Sequence, residues 1–299
     1  MIQLYTKNGN VVPPVGLGTF PMQGNELSNA TKECIKAGYR LIDTSDDYEG
    51  EIGIGLGCQS LIDEGFCKRE DIFIQTKISN NDSYNDEPLR AIYFTENSCF
   101  MRRHTIEDIV REKVETSLRE LKTDYLDSLL LHFPYEPFYI DAWKVLIKIQ
   151  EEGIARYIGV SNFHPRHIER LVEKTGITPT MNEIYLSPIG AKEDQVQYAN
   201  NKGIVLMTYS PLMDLMHNRI PTDYLEVLSQ KYKKTIAQIV LRWNIDRGSI
   251  PLPKSSNINR LRQNIDILDF SLTTEEVQSI SSLNQDYQYL PESLNCPGI

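Results

Sequence analysis

The amino-acid sequence predicts an α/β protein, a single-domain (β/α)8 barrel of the TIM-barrel type, on three observations. Eight short apolar runs rich in β-branched residues alternate with longer amphipathic segments. The runs have the composition of parallel strands buried on both faces by helices. The chain has 299 residues, room for an eightfold barrel of about 250 residues with extras. The rival architecture, an open doubly wound sheet, usually announces itself by Gly-x-Gly-x-x-Gly behind its first strand. Here the first run carries Gly16-Leu17-Gly18 with no third glycine and no helix directly behind it.

In order, Val15–Thr19 is the first strand and Glu26–Ala37 the helix after it. Tyr39–Asp43 and Asp71–Lys77, each apolar up to a charged last residue, are strands two and three, with helix Ile52–Asp63 between them. Helix Ile106–Leu121 leads into strand Leu126–His132, and helix Ala142–Glu152 into strand Arg156–Ser161. Helix Arg166–Lys174 precedes strand Thr180–Tyr185, and Glu193–Asn201 precedes Ile204–Ser210. Two helical patterns, Tyr224–Tyr232 and Ile236–Asp246, come before the last strand, Ser249–Lys254. Asn259–Asn264 and Thr274–Leu283 complete the helices. Two segments stand outside this pattern. An insertion, Ser79–His104, holds Tyr84, Tyr93, Phe94 and Phe100, and the tail Gln285–Ile299 holds Tyr287, Tyr289, Pro291 and Pro297. Loops of that length are usually functional or mobile; the insertion begins on the catalytic rim, so a lid over the substrate is expected of it together with the tail, an oligomer contact being the alternative.

Hydrophobic residues make up 40% and charged residues 24% of the chain, which excludes disorder for its bulk. The net charge of −10 repels phosphate backbones and argues against nucleic acid as a partner. The N-terminus lacks the apolar core of a secretory signal. The longest apolar stretch, around Ile204 to Leu212, is broken by Thr208, Tyr209, Ser210 and Pro211 and is too short to span a bilayer, so no membrane partner is expected. Five cysteines, an odd count with no Cys-x-x-Cys, argue against a disulfide framework or a zinc site and fit a reducing cytoplasm. His164 and His167 are read as a solvated helix start, and no metal site is expected.

A barrel gathers its chemistry at the C-terminal ends of its strands. Those ends carry Asp43, Lys77, His132, Ser161-Asn162, Asn182-Glu183, Tyr209-Ser210 and Lys254-Ser255. Singly, each has a bland reading: Asp43 and Ser161-Asn162 as helix caps, Lys77 and His132 as snorkelling or satisfied groups. Together on one rim they form an acid–base set. A tyrosine donates a proton poorly near neutrality because its reference pKa is about 10. A lysine beside it favours the phenolate, an aspartate keeps the buried lysine charged, and a histidine hydrogen-bonds a substrate oxygen. Tyr48 lies close enough behind Asp43 to join the group. No nucleophile of the Ser–His–Asp kind is present. The set suits protonation of a carbonyl oxygen while a cofactor delivers hydride.

Leu41-Ile42-Asp43-Thr44-Ser45-Asp46-Asp47-Tyr48 with Glu51, Leu130-Leu131-His132-Phe133-Pro134, Ile158-Gly159-Val160-Ser161-Asn162-Phe163, Tyr209-Ser210-Pro211-Leu212 and Pro253-Lys254-Ser255 with Arg260 and Asn264 stand in the order and spacing of one family's motifs. From Gly16 to about Leu283 the chain resembles the aldo-keto reductases. That resemblance implies a barrel with NADPH laid across its rim. It implies Tyr48 as proton donor, Lys77 and Asp43 as its tuning pair and His132 as the group orienting the carbonyl. It places Ser161, Asn162 and Glu183 at the nicotinamide carboxamide, Tyr209 stacked on the ring, and Thr19 and Asp43 against the cofactor from the first two strands. Ser210 and Leu212 would touch the pyrophosphate, Lys254, Ser255 and Arg260 the 2′-phosphate, and Asn264 the adenine. A net-acidic protein needs such a local cationic pocket to hold a phosphate dianion. Phe20 and Phe133 stand where the family often has tryptophans at the pocket wall, Gly50 where it has asparagine, and Gln263 where glutamate is frequent. Glu183 stands where it usually has glutamine; an ionised carboxylate there would favour the cationic, oxidised ring and so tighten NADP+ relative to NADPH.

The reading that follows is an NADPH-dependent reductase of aldehydes or ketones, cytoplasmic, a monomer or weak oligomer. The alternative is a nicotinamide-nucleotide-binding barrel with a regulatory or partner-binding role and little turnover. A pure binding protein has no need of Asp43, Tyr48, Lys77 and His132 together.

Overall fold

The computed structural model describes residues 4–5, 9, 11–79, 105–136 and 138–290. Residues 80–104, nearly all of the insertion, and the tail from Pro291 lie outside them, as do Tyr84, Tyr93, Phe94, Phe100 and Pro297.

A two-stranded antiparallel ribbon, β1 (Leu4–Tyr5) and β2 (Val11–Val12), opens the chain. Eight parallel strands then follow one another around a single sheet in sequence order: β3 (Gly16–Gly18), β4 (Leu41–Asp43), β5 (Phe73–Ile78), β6 (Leu126–Leu131), β7 (Ala155–Ser161), β8 (Met181–Tyr185), β9 (Val205–Tyr209) and β10 (Ser249–Leu252). The sheet closes on itself where the Gly18 N–H donates to the Pro253 carbonyl at 3.3 Å. That seam demands glycine. A Cβ at Gly16 would stand 2.5 Å from Leu252 Cδ2, and one at Gly18 would stand 2.6 Å from the Leu252 carbonyl oxygen.

Between the strands run α1 (Gly24–Lys36), α2 (Glu51–Asp63), α3 (Ile106–Leu121), α4 (Tyr139–Glu151), α5 (Pro165–Thr175) and α6 (Glu193–Lys202). After β9 come α7 (Met213–Met216), α8 (Asp223–Tyr232) and α9 (Ile236–Asp246), and after β10 come α10 (Ile258–Ile265) and α11 (Thr274–Ser281). Local chemistry sets several boundaries. Thr105, Thr235 and Thr273 each cap a helix by accepting the N–H three residues on, from Asp108, Gln238 and Glu276, whose side chains return a bond to the cap. Pro165 starts α5 and Gly176, at φ +73°, ends it. Every strand and helix expected from the sequence is present, with ends differing by up to three residues. The ribbon β1–β2 and the single-turn α7 were not expected, because neither is long enough to show a period.

Alternation along the strands divides the molecule into shells. Leu129, Leu131, Ile158, Val160, Ile184 and Leu206 point outward into the core between sheet and helices. Leu41, Phe73, Leu130, Met181, Val205, Met207 and Ile250 point inward and fill the barrel, with Val12 of the ribbon packed among them. This apolar plug forms the base on which the polar ends of the same strands stand.

Glu51 ties helix to sheet and gives the fold a pH signature. It opens α2, is 2% exposed, and its Oε1 accepts the Thr76 hydroxyl at 2.7 Å. Burial pushes its carboxyl up to about 7, against the opposing pull of the Thr76 hydroxyl. Between its ordinary value of 4.5 and about 7 the folded protein therefore keeps a proton that the unfolded chain has lost. Stability is expected to fall as pH rises through that window, by on the order of 3 kcal/mol, and to level off above it. Glu51→Gln removes the term, so its unfolding free energy relative to wild type climbs over the same window in denaturant titrations. A difference that stays constant with pH would refute this.

Candidate active site

Period two sends Asp43, Gln75, Lys77, Ser161, Glu183 and Tyr209 inward at the upper ends of their strands, and His132 follows β6 directly. Asp43 and Gln75 are partners in register across β4 and β5, and Ser161 and Glu183 across β7 and β8. Lys77 Nζ donates to both oxygens of Asp43, at 2.7 and 2.8 Å, and to the Thr44 carbonyl at 3.0 Å. It also lies 3.2 Å from Glu183 Oε2, reaching across the barrel interior. Gln75 Nε2 spans the same gap, donating at 2.9 Å to Asp43 Oδ1 and at 2.9 Å to Glu183 Oε2. Burial works to lower the Lys77 ammonium; Asp43 and Glu183 outweigh it and hold the group above lysine's ordinary range.

A single 3-10 turn, Asp46–Tyr48, leaves β4 and brings Tyr48 over this network. The Tyr48 ring centre is 5.3 Å from Lys77 Nζ, 5.7 Å from the His132 ring and 5.1 Å from Phe20. Lys77 pulls the phenol down, as the sequence suggests, but it does not win. Burial raises the group, and Asp43, Glu183 and Asp47 push the same way, so Tyr48 remains a neutral phenol well above its ordinary value. The imidazole of His132 stacks on Phe133, with ring centres 4.7 Å apart. Its Nδ1 is 3.2 Å from Ser45 Oγ and 3.5 Å from Asp47 Oδ1, which leaves Nε2 as the nitrogen available to a ligand.

A cavity of about 490 Å³ opens above these groups. Of the residues expected there from the sequence, Thr19, Phe20, Asp43, Tyr48, His132, Phe133, Asn162, Glu183, Tyr209, Ser210 and Lys254 line it. Asn162 takes a left-handed backbone at φ +63°. Its Nδ2 donates to the His132 carbonyl at 3.1 Å, and its Oδ1 accepts the Tyr209 hydroxyl at 2.9 Å. Thr19 donates to the Asp43 carbonyl at 2.8 Å. Lys77 and Ser161 support the wall without lining it; the Ser161 hydroxyl donates to the Glu183 carbonyl at 3.0 Å. Leu212, Ser255, Arg260 and Asn264 are not brought to this cavity. Lys254 and Arg260 are exposed, while Ser255 and Asn264 are buried.

Four contributors went unnoticed in the sequence. Gln75 shares the inward parity of Lys77 two residues on, a signal that was there to be read. Ser45 and Asp47 reach His132 from an irregular turn, and Leu290 lines the cavity together with Tyr289 of the tail expected over the substrate; neither the turn nor Leu290 has a local signature. The tail is held by the Gln285 and Tyr287 N–H groups, which donate to the Ile189 carbonyl at 2.9 and 3.0 Å.

The expected charge at Glu183 also changes. Its side chain faces Gln75 and Lys77 inside the barrel and is 1% exposed. Burial, reinforced by Asp43, raises its carboxyl well above the ordinary value, against the pull of Lys77. The group favours its neutral form instead of the carboxylate the sequence suggested.

The donor set fits a nicotinamide nucleotide: the Tyr209 ring, the Asn162 amide and the Lys254 ammonium stand at the cavity wall, and the Arg260 cation is exposed. Among the described residues, no group of three or more His, Cys, Asp or Glu is placed to hold a metal ion, and no helix is long and apolar enough to cross a membrane.

An eightfold barrel with a phenol and an imidazole over a buried lysine–carboxylate pair defines an oxidoreductase acting on carbonyl groups. The sequence model of the Aldo/keto reductase family matches residues 14–285, and the chain belongs to that family. It is 35% identical to glyoxal reductase of Bacillus subtilis, over 95% of this chain and 93% of that protein. It is 33% identical to the methylglyoxal reductase DkgA of Escherichia coli, over 96% of this chain and 94% of that protein. An aldo-keto reductase of Bombyx mori, solved in complex with NADP, superposes with a TM-score of 0.80 at 35% identity, covering 98% of this chain and 95% of its own.

Proposed function

We infer that the protein reduces small aldehydes and 2-oxoaldehydes to alcohols with NADPH, Tyr48 being the proton donor. The observation that carries this reading is the meeting of Tyr48 and His132 in one cavity over the Lys77–Asp43 pair. The NADP-bound Bombyx mori neighbour and the glyoxal and methylglyoxal reductases support the cofactor and the substrate class.

Bound NADPH supplies the hydride that reaches the carbonyl carbon. As negative charge develops on the carbonyl oxygen, His132 Nε2 holds that oxygen and the Tyr48 hydroxyl protonates it. Lys77, itself held by Asp43, then lies beside the phenolate and compensates its charge. Thr19, Ser161, Asn162, Glu183 and Tyr209 would hold the nicotinamide end, the Tyr209 ring supplying a face to stack on. Ser210 and Leu212 would meet the pyrophosphate, Lys254, Ser255 and Arg260 the 2′-phosphate, and Asn264 the adenine. Phe20 and Phe133 shape the substrate pocket. The three buried free thiols Cys34, Cys58 and Cys67 fit a reducing cytoplasm, and a monomer or weak oligomer completes the reading.

The purified protein is expected to oxidise NADPH in the presence of methylglyoxal. Arg260→Ala is expected to weaken NADPH binding about 10- to 100-fold, the worth of a charge-assisted contact to phosphate, and to leave NADH binding as it was. Fluorescence titration with both nucleotides checks this. Unchanged NADPH affinity, or an equal loss for NADH, would remove Arg260 from the 2′-phosphate site.

A further inference from the structure

Two carboxyl groups and one ammonium share the base of the cavity. Lys77 Nζ lies 2.7 Å from Asp43 Oδ1 and 3.2 Å from Glu183 Oε2. Gln75 Nε2 gives a hydrogen to each carboxyl, at 2.9 Å, while its Oε1, also buried, has no hydrogen-bond partner among the described residues. The amide is therefore turned to serve two acceptors at once. Asp43 and Glu183 are 3% and 1% exposed, so bulk water does little for a second charge. The titratable groups facing Glu183 are Asp43 from β4, Tyr48 from the turn behind it, Lys77 from β5 and Tyr209 from β9, with His132 on the wall of the same cavity. Lys77 is the ammonium among them, and in the resting site it neutralises one carboxylate. The other must carry a proton or leave an uncompensated buried charge. Glu183 also lines the cavity, so its state responds to the charge of whatever enters.

We propose that Glu183 stores the proton that carbonyl reduction consumes: it is protonated when the cavity is empty or holds NADPH, and ionised when the cavity holds the cationic ring of NADP+. The proposal rests on the cofactor reading above and extends it. In the reductive direction the Tyr48 O–H bond breaks and its proton passes to the substrate oxygen. The phenolate recovers a proton from the Lys77 ammonium, and Lys77 recovers one from Glu183. Each broken O–H or N–H bond leaves its electron pair on the atom that lost the proton. NADPH is the only species oxidised and the carbonyl the only one reduced. Departure of NADP+ removes the neighbouring positive charge, and Glu183 takes a proton from solvent. Burial and Asp43, which both favour the neutral carboxyl, agree with the resting state described here. A glutamine at this position could not store a proton, so the property belongs to this chain's departure from the family pattern.

The test is calorimetric. The full-length protein is titrated with NADP+ and, separately, with NADPH, each in two buffers of different ionisation enthalpy, from about pH 5 to about pH 9. The buffer dependence of the heat counts the protons exchanged, and the 2′-phosphate contributes alike for both nucleotides. In the wild type, NADP+ is expected to release up to about one proton more than NADPH, and the ratio of the two affinities to shift up to about tenfold per pH unit. In Glu183→Gln the proton count is expected to be the same for both nucleotides and the ratio flat. Equal proton counts for both nucleotides in the wild type would overturn the proposal, and that comparison needs no variant. A difference that survives in a folded Glu183→Gln would overturn it too. Binding of neither nucleotide would overturn the cofactor reading itself, and the proposal with it.

Discussion

Tyr48→Phe is expected to lower kcat for carbonyl reduction by about 10²- to 10⁴-fold, the contribution of a positioned general acid, with NADPH affinity within about twofold of wild type. The substitution removes one oxygen and keeps the ring. The contacts that place it, 5.1 Å to Phe20 and 5.7 Å to His132 between ring centres, remain available to phenylalanine. A loss confined to kcat would mark an interaction made in the transition state and not in substrate binding. The direction of the Tyr48 shift adds a pH expectation. Burial and three carboxyls outweigh Lys77 and keep the phenol neutral, so activity should not fall through Tyr48 ionisation anywhere near neutrality. Stopped-flow measurement of the hydride step separates chemistry from cofactor release. A Tyr48→Phe rate within tenfold of wild type would assign the proton to another group, with His132 next in line.

The barrel was legible because its signal is periodic. Alternation places Leu41, Phe73, Leu130 and Met181 in the plug and their outward neighbours under the helices, and one parity error would have turned a whole strand inside out. The same parity put Asp43, Lys77, Glu183 and Tyr209 on the interior, which is why the cluster could be assembled from strand ends. What alternation does not encode is distance across the barrel. Lys77 and Glu183 lie on strands far apart in sequence, and their 3.2 Å approach follows from closure of the sheet. The sequence therefore identified an unusual carboxyl but not its protonation preference, which depends on burial and on Asp43. Asp47 and Leu290 were missed for a different reason. Each belongs to an irregular segment whose course is set by tertiary contacts, as in the hold of Ile189 on Gln285 and Tyr287.

Lys77→Met should destabilise the fold by about 3–5 kcal/mol at pH 8, the cost of removing one member of a buried ion pair. Methionine matches the length and much of the volume of the lysine stem, so packing within the plug is largely kept and the loss is electrostatic. The variant leaves Asp43 and Glu183 facing each other with only the Gln75 amide between them, donating to each at 2.9 Å. Without the ammonium both carboxyls gain affinity for protons in the folded state, while in the unfolded chain they titrate as ordinary carboxylates. A raised folded value means that the penalty is absent at low pH, where both states are protonated. It grows as pH rises above about 4 and reaches its full size once the folded carboxyls ionise. The melting temperature of Lys77→Met should therefore approach that of wild type near pH 4.5 and fall on the order of 10 °C below it at pH 8. Adding Glu183→Gln to Lys77→Met removes one of the two stranded carboxyls and should recover part of the loss at pH 8. A deficit of the same size at both pH values would mean that methionine packs badly in the barrel, and that the ion pair contributes little to its stability.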